Sequence, residues 1–446
     1  MLQLALIIIF CLLGVVVGIG TGLLPGLHVN NIALILLSTS ASIVAFCAPL
    51  FSYGLSESFI LLLIAGFIIS VSISHSFHDV IPTTFIGAPE EDTALSVLPA
   101  HKLLIQGEGY KAIALSALGS YGAIIVCLLF FFPLRFIIGS PLFLYETLQE
   151  VMVWILLAIS LLMLATEKAK INDFGTSGRK PSILGLLFAL CIFIFSGIFG
   201  LIILDIPLSS PIGLDAPVLF PALAGLFGTP TLLNSLMEQA SIPKQKIEAL
   251  QLERNAKKSS IISVFTGSMA GILVSIIPGI TSATGTILAM NARKEQDNEQ
   301  TIVTLSSVNT ASAFSVIVVL FIILRPRSGA AIAVNELISV EEWTSLLIPT
   351  NLLYLTIFLV LGGTFSYFFT LKVGKICAIR FANIPYHLLV KFTLFLIGIL
   401  VILFTGLMGI LILLAATCIG FLPVLWGVRR SHCMGILLIP IIIHFL

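Results

Sequence analysis

The chain reads as a series of long, continuously apolar runs separated by short polar or Pro/Gly-containing breaks, beginning at Leu2. Runs of about 20 apolar residues are what a membrane-spanning helix requires, whereas a barrel strand would alternate apolar and polar positions. The runs place segments near 2–24, 27–50, 58–76, 111–132, 150–166, 183–204 and 217–237. A second series follows at 259–278, a short 280–290, 301–324, 344–370, 386–404, 405–421 and 433–446. Between them lies a charged linker, 241–258, with KQKIEALQLERNAKK at its core, expected as a cytoplasmic surface helix or loop. The pattern predicts an all-α polytopic membrane protein of roughly ten to twelve transmembrane helices. The first run lacks a basic n-region and a small-residue cleavage site, so it is expected to stay as a helix.

Composition agrees with that class and removes others. With 58% hydrophobic residues, 10% charged residues and a mean hydropathy of +1.16, a water-soluble enzyme is excluded. A net charge of +1 supplies no basic field, so nucleic acid is not an expected partner. The seven cysteines form no CxxC pair, so neither a disulfide framework nor a metal cluster is expected, and no cofactor is implied. Cytoplasmic loops carry an excess of Lys and Arg, and an external N-terminus puts most of them, including Lys244, Lys246, Arg254, Lys257 and Lys258, on the inside. Only Arg135, Arg325 and Arg327 then fall outside, with Lys391 at a helix edge, which describes a multi-pass protein of the cytoplasmic membrane.

An internal repeat is visible. GIGTGLLPGLHVNN at 18–31 matches GILVSIIPGITSAT at 271–284 at an offset of 253, with Gly18, Pro25 and Gly26 on Gly271, Pro278 and Gly279. SVSISHSF at 70–77 matches SVNTASAF at 307–314 at an offset of 237. The expected organisation is a first membrane repeat, 1–240, the linker, and a second membrane repeat, 259–446. The first begins outside and the second inside, so the repeats would have inverted topology, the plan of many secondary transporters with broken helices at the midplane.

The breaks and polar positions define the candidate chemistry. Pro25-Gly26 and Pro278-Gly279 interrupt apolar runs and free backbone groups that hydrocarbon cannot satisfy. New half-helices behind them would aim N–H groups at a carboxylate; the alternative is a proline kink whose Ser and Thr bond to their own helix. Gly22, Pro25, Gly26, His28, Asn30 and Asn31 in the first repeat, and Pro278, Gly279, Thr281, Ser282 and Thr284 in the second, are the candidate substrate ligands, with Asn309 and Thr310 assisting. Arg325 joins them because a guanidinium fork matches a carboxylate; the alternative for it and for Arg327 is an interfacial anchor or an ion pair, which the RPRSG turn favours for Arg327. Asp79, Glu90, Glu91 and Asp92, helped by Thr83, Thr84 and Thr93, are the candidate ligands of a coupling Na⁺ or H⁺. The structural alternative for 83–100 is a re-entrant helix that the three carboxylates begin and Pro99 ends, or a plain cytoplasmic loop. His75, His78 and Asp79 have helical spacing suited to one metal, but HExxH is absent and a packed histidine pair accounts for the pattern better.

GLLPGLHVN at 22–30, GAPEEDTALSVLPAHKLLIQGEGYKAIALSALGS at 87–120, GLFGTP at 225–230 and GILVSIIPGITSATG at 271–285 together resemble the large membrane subunit of tripartite tricarboxylate transporters, in a divergent archaeal-type branch. The resemblance covers nearly the whole chain. It implies a permease that imports carboxylates on an ion gradient, with a small membrane subunit and an extracytoplasmic binding protein as partners. The acidic APEEDTA run departs from the more glycine-rich bacterial pattern. The functional expectation is therefore a secondary transporter moving a small anionic solute with Na⁺ or H⁺. Its rival is a translocase of polyprenyl-phosphate or another anionic lipid; an intramembrane metal hydrolase is a third class.

Overall fold

The computed structural model describes residues 2–24, 32–33, 36–37, 39–87, 93, 97–165, 167, 183–211, 218–237, 243–248, 250, 253–277, 282–293, 297–381 and 386–446. Their secondary structure is helical, with no strand among the described residues. The helices used below are α1 (Leu2–Gly22), α2 (Glu57–His78), α3 (Val80–Phe85), α4 (Val97–Ile105), α5 (Gly109–Leu129), α6 (Leu144–Glu150) and α7 (Met152–Ala165). There follow α8 (Ile183–Ile203), α9 (Arg254–Ile276), α10 (Ser282–Arg293), α11 (Asn298–Ile323), α12 (Thr350–Phe381), α13 (Tyr386–Trp426) and α14 (Gly435–Phe445).

Among the described residues, eight helical stretches are long and apolar enough to cross a membrane, or nine if the α6–α7 pair, bent by 71°, counts as one span. Two shorter apolar helices, Leu219–Asn234 and Arg430–Phe445, bring the set close to the ten to twelve segments of the apolar pattern. The expected boundary between 404 and 405 has a local cause: Gly406, at φ 65 and ψ −164, breaks α13 into two helices. The charged linker is not all surface loop. Arg254 to Lys258 form the first turns of α9, while 243–248 run without regular structure against the start of α5. There Lys246 N donates to Gly107 O at 2.8 Å and the Gln245 side-chain oxygen accepts from Gly109 N at 2.7 Å.

The two largest apolar clusters among the described residues are each drawn from both halves of the sequence. The first joins α1, α2 and α5 with α9, α11 and α12, through residues such as Ile64, Phe77, Phe314, Phe321 and Phe358. The second joins α7, α8 and the 219–228 stretch with α13 and α14, and takes Ile277 and Ile287 from the region of the second break. Leu407, Leu411, Phe392 and Ile183 are exposed on the outside, as lipid-facing side chains must be.

Without a hydrophobic force between helices in lipid, close backbone approach holds them, and small residues permit it. A Cβ on Gly14 would lie 2.7 Å from Phe67 O, and one on Gly18 2.6 Å from Val71 O, so α1 lies directly on α2. In the second half of the chain a Cβ on Gly267 would lie 2.6 Å from Thr304 O, and one on Gly271 2.4 Å from Val308 O. The contacting positions in α9 and α11 stand at the same offsets, 253 and 237, as the two sequence matches.

Candidate functional site

The polar centre forms where α2 meets α11. Its core is Asp79, which follows α2 directly, is 4% exposed, and accepts a hydrogen bond on Oδ2 from Asn309 Nδ2 at 3.3 Å. Asn309 sits mid-way along α11, whose buried face also carries Thr304, Ser306, Ser307 and Thr310. α2 matches it with buried Ser70, Ser74, His75 and His78. A helix buried on so many sides has no lipid-facing stripe, which is why polar residues survive here within spans 78% and 83% buried.

Most of these groups are already paired. Ser74 Oγ donates to Val15 O at 2.9 Å, Ser307 Oγ to Gly119 O at 3.0 Å, and Ser306 Oγ to Ser116 Oγ at 2.8 Å. The two histidines turn to different neighbours. His75 Nδ1 meets Thr21 Oγ1 at 3.2 Å; His78 meets Ser74 O through Nδ1 at 2.7 Å and Thr370 Oγ1 of α12 through Nε2 at 3.3 Å. Among the described residues no three His, Cys, Asp or Glu side chains gather as metal ligands. Thr83 Oγ1 donates to Asp79 O at 2.8 Å and lies 3.0 Å from Thr93 Oγ1, so Thr93, the residue after the acidic run, is tied to the Asp79 turn. By contrast, the hydroxyls of Thr84, Thr310 and Ser366 are buried without a hydrogen-bond partner. A buried orphan hydroxyl costs about 1–3 kcal/mol, and of the three Thr310 directly follows Asn309 in α11.

Several expected site residues can be placed. Gly22 is where α1 ends against α2: a Cβ there would lie 2.8 Å from His75 O, so close packing accounts for this glycine. Ser282 and Thr284 begin α10 and are buried, and Thr286 Oγ1 donates back to Ser282 O at 2.8 Å within the same helix. Arg325 does not reach the Asp79–Asn309 contact. It is exposed beyond the end of α11, more than about 20 Å along the axis from Asn309 at the helical rise per residue. Pro25, Gly26, His28, Asn30, Asn31, Glu90, Glu91, Asp92, Pro278, Gly279 and Thr281 lie outside the described residues. Pro99 does not end a helix; it sits in the first turn of α4, where its missing N–H costs nothing.

The arginine brought to the end of α9 is Arg327. Ile277 leaves α9 with extended backbone at φ −92 and ψ 118, so the Ile276 carbonyl is in the last turn, where such groups look for partners outside the helix. The Arg327 guanidinium donates to that carbonyl and, at 2.6 Å, to Tyr145 Oη. Two partners were not expected from the sequence: Tyr145 of α6, which looks like an ordinary interfacial aromatic, and Thr370 of α12, one hydroxyl in an apolar run.

Comparison with known proteins decides the family. Residues 8–435 match the tripartite tricarboxylate transporter TctA family. The chain belongs to that family. A protein of Methanocaldococcus jannaschii, described as uncharacterized protein MJ1079, is 27% identical over 445 residues, covering 98% of this chain and 99% of its own length. No solved structure matches. The TctA-family chain is thus a multi-pass membrane protein of a transporter family, and the lipid-carrier rival gains no support from that membership.

Proposed function

We propose that this TctA-family chain is a secondary active permease that imports a small organic anion carrying two or three carboxylates, coupled to Na⁺ or H⁺. The observation that carries the proposal is the buried Asp79–Asn309 contact at 3.3 Å, which joins the polar stretches of the two sequence repeats. A carboxylate of 4% exposure inside a spanning bundle is costly, and such groups are characteristically ion or proton sites. Asp79, with Glu90, Glu91 and Asp92 of the following segment, is our coupling-ion set. The substrate would lie between the breaks at Pro25-Gly26 and Pro278-Gly279, where half-helix N-termini favour an anion. The matching glycine contacts of α1 on α2 and α9 on α11 support reading 1–240 and 259–446 as inverted repeats about this centre. The N-terminus would then lie outside the cytoplasmic membrane, with a small membrane subunit and an extracytoplasmic binding protein as partners. The test is thermal stability of detergent-purified protein against di- and tricarboxylates and lipid phosphates, with Na⁺ or K⁺ as sole metal cation and at several pH values. Stabilisation by a carboxylate that depends on Na⁺ or on pH is expected; a response to lipid phosphates alone would overturn the proposal.

A further inference from the structure

Tyr145 is 7% exposed and fixed in place by two hydrogen bonds at its phenol oxygen, from Gln149 Nε2 at 2.8 Å and from Arg327 at 2.6 Å. Two guanidinium groups lie over its ring. Arg327 stands 4.9 Å from the ring centroid and Arg325 5.8 Å from it. Arg327 is spent inward, on Tyr145 and on the carbonyl of Ile276, the last residue of α9. Arg325 is exposed, and its described interaction is the ring. No carboxylate among the described residues forms an ion pair with either arginine. Burial lowers the Arg327 pKa from its ordinary value, Tyr145 opposes that, and the Arg325 charge lowers it further, so the two positive charges act on each other.

The chain holds the pair there at a conformational cost. Leu324, which follows α11, takes the left-handed conformation at φ 53, a state disfavoured for a non-glycine residue. This turn is followed by the contacts of Arg325 and Arg327 with α6 and with the end of α9. A guanidinium stacked on an aromatic face keeps its N–H edge available in the plane, the geometry that grips a carboxylate through two parallel bonds.

We propose that Arg325, carried on the Tyr145 ring and backed by Arg327, is a capture subsite for a carboxylate of the transported anion. It stands at the end of α11 remote from Glu299 and the linker, separate from the Asp79–Asn309 centre. The inference rests on the permease reading. Arg325 engages a carboxylate of the anion as it arrives at this end of α11, ahead of the Asp79–Asn309 centre. Two uncompensated positive charges raise the local concentration of anions, an effect that salt screens.

The test is initial uptake of radiolabelled citrate, tricarballylate, succinate and malate into proteoliposomes, with inward Na⁺ and proton gradients, for wild type, Arg325→Gln and Arg325→Lys. For whichever acid the wild type accumulates, Arg325→Gln is expected to raise the half-saturation concentration about tenfold at unchanged maximal rate, the loss of one charge-assisted bond. It should also flatten the dependence on added salt, and Arg325→Lys should recover part of the shift. Unchanged half-saturation in Arg325→Gln, or a lowered maximal rate alone, overturns the subsite while the permease reading stands. No uptake of any acid by the wild type reconstituted together with its small membrane subunit and binding protein overturns both.

Discussion

Asn309 Nδ2 donates to Asp79 Oδ2 at 3.3 Å, a contact that spans 230 positions of chain and ties the end of α2 to the middle of α11. Around it helices from both halves of the chain share one core, so this contact reports on their packing as well as on the carboxylate.

Removing the donor should destabilise the protein by withdrawing a bond from a buried carboxylate. Asn309→Leu is expected to cost about 1–3 kcal/mol, and Asp79→Asn/Asn309→Leu less than the sum of its parts, because the charge is then gone as well. Thermal unfolding of the three variants in detergent measures both; strictly additive losses would mean that the two side chains do not interact.

Helix approach gives a sharper contrast. Gly18 leaves no room for a Cβ, which would meet Val71 O at 2.6 Å, whereas a Cβ on Gly20 meets nothing within 4 Å. Gly18→Ala should therefore lose about 1–3 kcal/mol and much of the monodisperse protein, while Gly20→Ala should be neutral or slightly stabilising through helix propensity. Gly271→Ala should behave like Gly18→Ala, since its Cβ would lie 2.4 Å from Val308 O. Fluorescence-detected size-exclusion chromatography ranks them; equal behaviour of Gly18→Ala and Gly20→Ala would contradict the packing.

A pH effect is expected away from the polar centre. Glu167, beyond the end of α7, is bonded to His432 Nε2 at 2.5 Å and to Arg429 N at 3.1 Å. Burial alone would raise its pKa, but the His432 and Arg429 bonds outweigh that and bring it down to about 2. A depressed carboxylate contributes its stability above the unfolded value of about 4.3 and loses it as pH falls through the folded value. Glu167→Gln should thus be destabilised relative to wild type at pH 7, with the difference shrinking steadily below about pH 4. Thermal unfolding from pH 7 to pH 3 reads this directly; a difference that grows with acidity would exclude the pairing.

How much of this was legible in the sequence depends on the kind of signal. Continuous apolar runs and Pro-Gly breaks are local, and they marked out the helices, including the interruption at Gly406 within α13. The motif-based resemblance pointed to the family to which the residue 8–435 match assigns the chain. Asp79 and Asn309 were each recognisable as polar groups in apolar runs, but their meeting depends on how α2 crosses α11, which no local pattern states. The exchange of segments between the two cores was invisible for the same reason. Arg325 was singled out by its charge, but its place over the Tyr145 ring and the bond of Arg327 to the Ile276 carbonyl depend on the turn after α11, which no local pattern states. Glu167 and His432 passed unnoticed because 265 positions separate them and each looks like an ordinary residue at a helix end.

The measurement that tests the central claim most directly is uptake of a radiolabelled di- or tricarboxylate into proteoliposomes, with a Na⁺ or proton gradient imposed separately, for wild type and Asp79→Asn. Accumulation in the wild type above the equilibrium level under one gradient, and gradient-independent equilibration or no uptake in a folded Asp79→Asn protein, is the predicted result. Wild-type accumulation that Asp79→Asn reproduces with the same gradient dependence would contradict the account.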